Sequence, residues 1–302
     1  MKAKDKQSTL IEQELIEKLM KNAKSTEQIT PDNVHQIGNT VNRNLISDMI
    51  RSILLPGSCI LGFPNLKELV DKSKAGEACL LLVEHYSNFD IPAIYELLDQ
   101  AGEAGKEVAE SLISIAGMKL TVENPVVRAF SEAYTRIVIY PSRSLKQYEN
   151  TDQFEEEKKL SNNINRAALH NMIRAKHHGH IILVFPSGTR YREGDPSTKK
   201  GLPEIDSYLK SFDNVVFLGV AGSLLRVTDV MERDEVTPDA VILSASEVMS
   251  AKQFRQEARE LGAKKGIADL KQFAADAVMQ KLDEMHNIAQ SERQKALAKL
   301  KA

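Results

Sequence analysis

A histidine and an aspartate lie five residues apart in the stretch VEHYSNFDIP, at His85 and Asp90. The stretch follows an apolar run, ACLLLV, which is typical of a buried strand. If Asp90 begins the next helix, its carboxylate can hydrogen-bond one imidazole nitrogen of His85 and leave the other nitrogen as a general base for a hydroxyl. The alternative is a helix cap beside a surface histidine, which for this motif taken alone is the commoner arrangement.

A basic turn follows another apolar run, in the stretch LVFPSGTRYREGD. Its guanidinium groups match the geometry of a phosphate monoester, and its hydroxyls and backbone N–H groups can add hydrogen bonds. These candidate phosphate ligands are Ser187, Gly188, Thr189, Arg190 and Arg192. A solvent-exposed basic loop is the alternative. The turn is not a Walker loop, because no Gly-Lys-Ser/Thr follows, and the lack of a Gly-x-Ser-x-Gly elbow disfavours a hydrolase that uses Ser187.

Both motifs must be positioned by strands and helices that alternate along the chain. Short apolar runs rich in β-branched residues predict strands at Ala78–Val83, Arg136–Tyr140, His180–Phe185, Asn214–Ala221 and Asp239–Ser246. Helical stretches separate them, which predicts an α/β fold with a mostly parallel central sheet flanked by helices. In such sheets reactive groups cluster beyond the carboxyl ends of the strands, where both motifs lie.

The two ends of the chain have helical periodicity. Apolar residues recur at helical spacing from Leu10 to Met20, and again from Val34 to Ile53 after a predicted N-cap at Thr30. We therefore expect an N-terminal helical subdomain at residues 1–60, and an α/β domain at 61–302 that ends in C-terminal helices. The charged end of the chain, SERQKALAKLKA, is expected to fray.

The composition limits the classes of partner. A net charge of −2 and a pI near 6.4 argue against non-specific electrostatic binding of nucleic acid. No run approaches the roughly 18 apolar residues of a membrane span, and the uncharged Ser52–Leu66 segment is read as a buried crossover or a surface-seeking segment. The two cysteines lack metal-ligand spacing, so no metal is expected from them. The KHHGH stretch resembles a metal cluster but lacks carboxylate or cysteine partners, and we interpret it as the C-terminus of a helix with Gly179 as the left-handed residue that follows. A reducing, cytoplasmic compartment fits best.

Taken together, HYSNFD and FPSGTR resemble the glycerolipid acyltransferase family, whose pattern is His-x4-Asp and then Phe-Pro-Glu-Gly-Thr-Arg. Ser187 replaces the glutamate, which is similar to the soluble plastid-type glycerol-3-phosphate acyltransferases, whose motif carries two arginines separated by one residue. Residues 117–144 resemble the block that supplies basic residues to the phosphate site, with Arg143 in that place and Arg136 as a second candidate. The resemblance covers about Ala78 to Ala221.

The resemblance implies an acyltransferase of phospholipid biosynthesis, in which His85 is the general base and Asp90 orients it. The implied reaction moves an acyl group from acyl-carrier protein or acyl-CoA to the sn-1 hydroxyl of glycerol 3-phosphate, with no cofactor, while the arginines hold the phosphate. A lysophosphatidate acyltransferase and a non-catalytic phospholipid-binding relative are the alternatives. We also expect a soluble compartment, cytoplasmic or similar to the plastid stroma, with transient peripheral contact to a membrane.

Overall fold

The computed structural model describes residues 13–24, 28–118, 125–226 and 234–301. The chain divides into two compact units, each built from two stretches of sequence. The first unit is Met1–Met49 with Ile113–Arg174, and the second is Ile50–Leu112 with Ala175–Ala302. This division by contacts differs from the domain boundary that the sequence analysis placed after residue 60. That boundary stays a prediction.

The described residues contain strands and helices in alternation. The strands are β1 (His35–Gln36), β2 (Cys59–Leu61), β3 (Cys79–Val83), β4 (Leu112–Gly117), β5 (Arg136–Ile139), β6 (Ile181–Val184), β7 (Asn214–Ala221), β8 (Leu225–Arg226), β9 (Glu235–Val236), β10 (Ile242–Ala245) and β11 (Met249–Ser250). The helices are α1 (13–22), α2 (Thr40–Ile53), α3 (Phe63–Lys74), α4 (Asp90–Gln100), α5 (Glu103–Ser111), α6 (Pro125–Ser131), α7 (Ser142–Lys146), α8 (Phe154–Lys176), α9 (Ile205–Ser211), α10 (Ala251–Lys264) and α11 (Leu270–Lys301). A 3₁₀ turn covers Pro196–Lys199.

In the second unit the strands pair in the order β6-β3-β7-β10-β2, and β11 also pairs with β7. The β6–β3, β3–β7 and β10–β2 pairs are parallel, whereas β10 and β11 run antiparallel to β7. Strands β3, β6 and β7 are buried along their whole length, as continuous apolar runs require. Helices α3 and α11 pack on these strands. The predicted α/β class, with a mostly parallel sheet flanked by helices, is confirmed.

In the first unit β4 is parallel to β5, and β1 is antiparallel to β5. The helix predicted to begin after Thr30 begins instead at Thr40. Val34 is the reason, because it is fully buried in a cluster with Val138 and Tyr140, and the residues that follow it pair with β5. Here tertiary packing overrides a helical spacing of apolar residues.

The C-terminal helix does not fray where expected, since α11 continues to Lys301. Small residues on one face of the helix explain this. Ala289 packs with Ala221 and Ile242 of the sheet, and Ala296 is 9% exposed. The tail is therefore held by burial of its alanine face in the second unit.

The uncharged Ser52–Leu66 segment contains β2, which pairs with β10, and the first turn of α3. Its residues are mostly half-buried, so the crossover interpretation describes most of it. Across the described residues, no helix is both long and apolar enough to cross a bilayer.

Candidate active site

His85 and Asp90 lie together in the loop that leaves the carboxyl end of β3. Asp90 is the first residue of α4, and its Oδ2 lies 2.9 Å from Nδ1 of His85. Because a carboxylate only accepts, Nδ1 carries the proton and Nε2 has the free lone pair. The Asp90 side chain is 3% exposed and that of His85 is 17% exposed, so the pair is shielded while the imidazole is still reached by solvent.

The Asp90 carboxylate is held by the backbone of its own loop. Oδ2 also accepts from the N–H groups of Tyr86 at 2.6 Å and Ser87 at 3.0 Å. Oδ1 accepts from the Ser87 hydroxyl at 3.1 Å, and the same hydroxyl oxygen accepts from the N–H of Phe89. Four donors therefore fix the position of the carboxylate.

The basic turn packs directly against the histidine. The Phe185 ring stacks on the His85 imidazole, with ring centroids 3.9 Å apart and 14° between the planes. The N–H of Tyr191 donates to the carbonyl of His85 at 2.8 Å. The two motifs, about a hundred residues apart in sequence, thus form one structure in the second unit.

The turn itself uses some of the donors that the sequence assigned to phosphate. The Ser187 hydroxyl donates to the carbonyl of Thr189 at 2.7 Å, and the N–H of Gly188 donates to the carbonyl of Phe185 at 3.0 Å. Gly188 has φ 62°, in the left-handed region that glycine tolerates best. Ser187 and Gly188 therefore shape the turn, whereas their contact with a phosphate stays a prediction.

The two arginines of the turn differ in burial and in ion pairing. Arg190 is 12% exposed, and its Nη1 lies 2.7 Å from Oδ2 of Asp234, which is 5% exposed. Arg192 is exposed and has no ion-pair partner among the residues that the structure describes. Sequence reasoning missed Asp234, although a nearly buried guanidinium needs a counter-ion.

A further hydrogen-bonded cluster surrounds His85. Glu84, which is buried, accepts from the Tyr86 hydroxyl at 2.9 Å and from the N–H of Val220 at 2.9 Å. The imidazole of His286, from α11, lies 3.1 Å from the same carboxylate. The pKa of His286 is raised, chiefly by its hydrogen bond to Glu84, and burial together with the negative charge of Glu84 raises the pKa of the Tyr86 hydroxyl. Sequence reasoning missed His286, because nothing in the local sequence links the C-terminal helix to His85.

Two further arginine candidates lie in the first unit, at opposite ends of β5. Arg143 is exposed on α7, just after the carboxyl end of the strand. Arg136 begins the strand, is 2% exposed and donates from Nε to Gln36, and burial lowers its pKa to about 10. They cannot serve the same edge of the strand, and Arg143 is the one that follows its carboxyl end. Its contact with phosphate stays a prediction.

No group of three or more histidine, cysteine or acidic side chains among the described residues is arranged to hold a metal ion. The KHHGH stretch ends α8, and Gly179 has φ 80° there, as the left-handed residue after a helix often does. The sequence interpretation of that stretch as a helix terminus is confirmed.

The region that holds both motifs is similar to known acyltransferases. Residues 66–213, just under half of the chain, match the family model described as Acyltransferase. The crystal structure of the 1-acyl-sn-glycerophosphate (LPA) acyltransferase PlsC from Thermotoga maritima is similar at 18% identity, over 81% of each chain, with a TM-score of 0.36. No curated protein matches the sequence significantly. Asp234 and His286 lie outside the matched residues.

Proposed function

We propose that this protein is an acyltransferase that moves a fatty acyl group from acyl-carrier protein or acyl-CoA to the sn-1 hydroxyl of glycerol 3-phosphate. The observation that supports this most is the His85–Asp90 pair, whose protonated Nδ1 faces the carboxylate while the ring stacks on the basic turn. The acyltransferase match covers both motifs. The product would be lysophosphatidate, an intermediate of phospholipid biosynthesis.

The chemistry follows from the protonation of the pair. Nε2 of His85 removes the proton of the acceptor hydroxyl as its oxygen attacks the thioester carbonyl, and the imidazolium returns the proton to the leaving thiolate. Asp90 stabilises the imidazolium while it exists. General-base assistance of this kind is worth about 10²–10⁴-fold in rate. The reaction requires no metal and no covalent enzyme intermediate.

Arg190 and Arg192 hold the phosphate of the acceptor in this proposal, with Arg143 as a further candidate. When the phosphate is bound, the acceptor hydroxyl is positioned beside His85. The reaction is faster because the entropy cost of orienting the two groups has already been met by binding. The substrates and products are amphiphilic, so we also propose a soluble protein with transient contact to a membrane surface.

Lysophosphatidate is the alternative acceptor, because it carries the same phosphate monoester and a free hydroxyl. An acceptor panel separates the two: purified protein is given palmitoyl-CoA or palmitoyl-acyl-carrier protein with either acceptor, and free thiol is measured. Turnover with glycerol 3-phosphate that is lost in His85→Ala supports the proposal. Turnover only with lysophosphatidate replaces it by the alternative, and binding of phospholipid without thiol release with either acceptor indicates a non-catalytic relative.

A further inference from the structure

The residues on both sides of His85 are held by one buried cluster. Oε1 of Glu84 accepts from the Tyr86 hydroxyl at 2.9 Å, and Oε2 accepts from the N–H of Val220 at 2.9 Å. Glu84 is the residue before His85 and Tyr86 is the residue after it. The side chains of the two residues that flank the proposed base are thus linked to each other by a hydrogen bond.

His286 completes this cluster from the C-terminal helix. Its Nδ1 lies 2.8 Å from the carbonyl oxygen of Val220 and 3.1 Å from Oε2 of Glu84. Because a carbonyl only accepts, Nδ1 of His286 carries a proton and donates to both oxygens. The side chain of Glu84 is 2% exposed, and a carboxylate so deeply buried depends on such donors.

The approach of α11 to the sheet makes this contact possible. A Cβ atom at Gly219 of β7 would lie 2.3 Å from the backbone nitrogen of His286 and 2.4 Å from the carbonyl carbon of Met285. Any side chain at position 219 would push the helix away from the strand. Glycine at this position therefore lets the imidazole reach the end of β3.

The cluster also reaches the aspartate of the pair. The Tyr86 side chain bonds Glu84, while its backbone N–H donates to Oδ2 of Asp90 at 2.6 Å. The Tyr86 ring also meets the Tyr191 ring edge-on at 5.9 Å between centroids. Tyr191 is the residue whose N–H donates to the carbonyl of His85. A shift of Glu84 or Tyr86 is thus passed directly to both members of the proposed catalytic pair.

We propose that His286 is a positioning residue for His85, acting through Glu84 and Tyr86. This inference rests on the proposed function of His85, and it adds a residue outside the segment that matches the acyltransferase family. His286 does not touch the reacting atoms. It keeps the Glu84 carboxylate in place, and the carboxylate in turn fixes the backbone on which His85 is carried.

The experiment compares variants of His286 that keep or remove the donor. His286→Asn can place an amide N–H close to the position of Nδ1, whereas the longer side chain of His286→Gln places it near Nε2 and His286→Ala has none. We expect kcat to fall on the order of ten- to a hundredfold in the Ala and Gln variants, with both KM values unchanged, because misplacement of a catalytic group by about 1 Å has effects of that size. The Asn variant should stay within about threefold of the wild-type protein.

Arg293→Ala is the matched control. Arg293 lies on the same helix and holds it to the second unit through both oxygens of Asp239, at 2.7 and 2.8 Å, but it does not touch the cluster. Loosening α11 there should lower the melting temperature and leave kcat unchanged. If kcat falls as much in Arg293→Ala as in His286→Gln, the effect is a general loss of stability and the proposal is overturned.

A second readout needs no substrate. The imidazole chemical shifts of His85 are measured by NMR in protein with labelled histidine. The His85 signal is assigned by its loss in His85→Gln. The His85 signal should shift in His286→Gln and be close to the wild-type position in His286→Asn. An unchanged His85 signal in folded His286→Gln overturns the positioning role of His286. If the wild-type protein acylates neither acceptor, the proposed function is refuted instead, and the NMR comparison still tests the positioning role. Should His286→Ala not fold, the Asn and Gln variants carry the comparison.

Discussion

Replacing Asp90 by asparagine tests which part of the carboxylate matters to His85. The variant keeps the shape of the side chain but gives it one accepting oxygen and one donating NH₂ group. The backbone N–H groups of Tyr86 and Ser87 both point at Oδ2, at 2.6 and 3.0 Å. An NH₂ group placed there would face two donors, so the amide oxygen must take that position.

This orientation preserves the tautomer of His85. The amide oxygen still accepts from Nδ1, and the NH₂ group donates to the Ser87 hydroxyl oxygen, whose own proton can rotate away. Only the negative charge is lost. A hydrogen bond to a charged group is worth about 1.5–3 kcal/mol and a neutral one about 0.5–1.5 kcal/mol, so the imidazolium loses about 1–2 kcal/mol of stabilisation. We therefore expect kcat to fall roughly five- to thirtyfold.

Asp90→Ala should behave differently, because it leaves Nδ1 and both N–H groups without an acceptor. We expect it to remove the general-base contribution, about 10²–10⁴-fold in kcat, and to destabilise the fold. Steady-state thiol release with the better acceptor measures both variants, and Asp71→Asn, which changes an exposed carboxylate of α3, is the control. A loss of about 10⁴-fold in Asp90→Asn, the size expected when the tautomer reverses, would refute the argument that the backbone fixes the oxygen.

Three further changes follow from the contacts. Arg190→Ala should raise the KM for the phosphorylated acceptor more than that for the acyl donor. It should also lower the free energy of unfolding in urea by about 3 kcal/mol, because the Asp234 carboxylate, 5% exposed, loses the cation that lies 2.7 Å from it. Arg190→Lys, which keeps the charge, should have a smaller effect on both quantities. Gly219→Ala should lower the free energy of unfolding by about 1–3 kcal/mol, since the helix backbone must move, and an unchanged melting temperature would contradict this. The pKa of His286 is raised chiefly by its hydrogen bond to Glu84, although burial and, to a smaller extent, Lys199 oppose the shift. The charged contact therefore stabilises the fold fully below the unfolded value of about 6.5 and is lost as the pH rises through the higher folded value. The stability difference between wild type and His286→Asn should therefore shrink as the pH rises above about 6.5.

The parts of the site that the sequence predicts are those formed by neighbours in the chain. His85 and Asp90 are five residues apart, and the turn between a buried strand and the next helix is enough to bring them together. Their strands are continuous apolar runs, which is why the α/β class could be predicted. The short strand β1 could not, because its two residues are paired only through the burial of Val34 beside β5.

The partners Asp234 and His286 could not be predicted in the same way, because they lie 44 and 202 residues from the groups that they bind. Nothing in the local sequence marks either one. A signal does exist in their partners: Glu84 is a carboxylate at the end of an apolar strand, and buried carboxylates are rare unless they are paired. The sequence thus indicates that a donor must exist, and the fold supplies its identity.

The pairing of Arg190 bears on how a phosphate would be held. Lys199, which follows the same turn, is paired with Asp283 of α11, so Arg190 and Lys199 are each neutralised within the second unit, whereas Arg192 has no ion-pair partner among the described residues. From Arg190 a phosphate would gain little in net charge and more in direction. Asp234 holds one end of the guanidinium fork at Nη1, and a rigidly held fork binds a planar set of oxygens with less loss of side-chain entropy. The carboxylate is then a reason for the arginine to be a good ligand, because it orients the guanidinium group before a phosphate arrives.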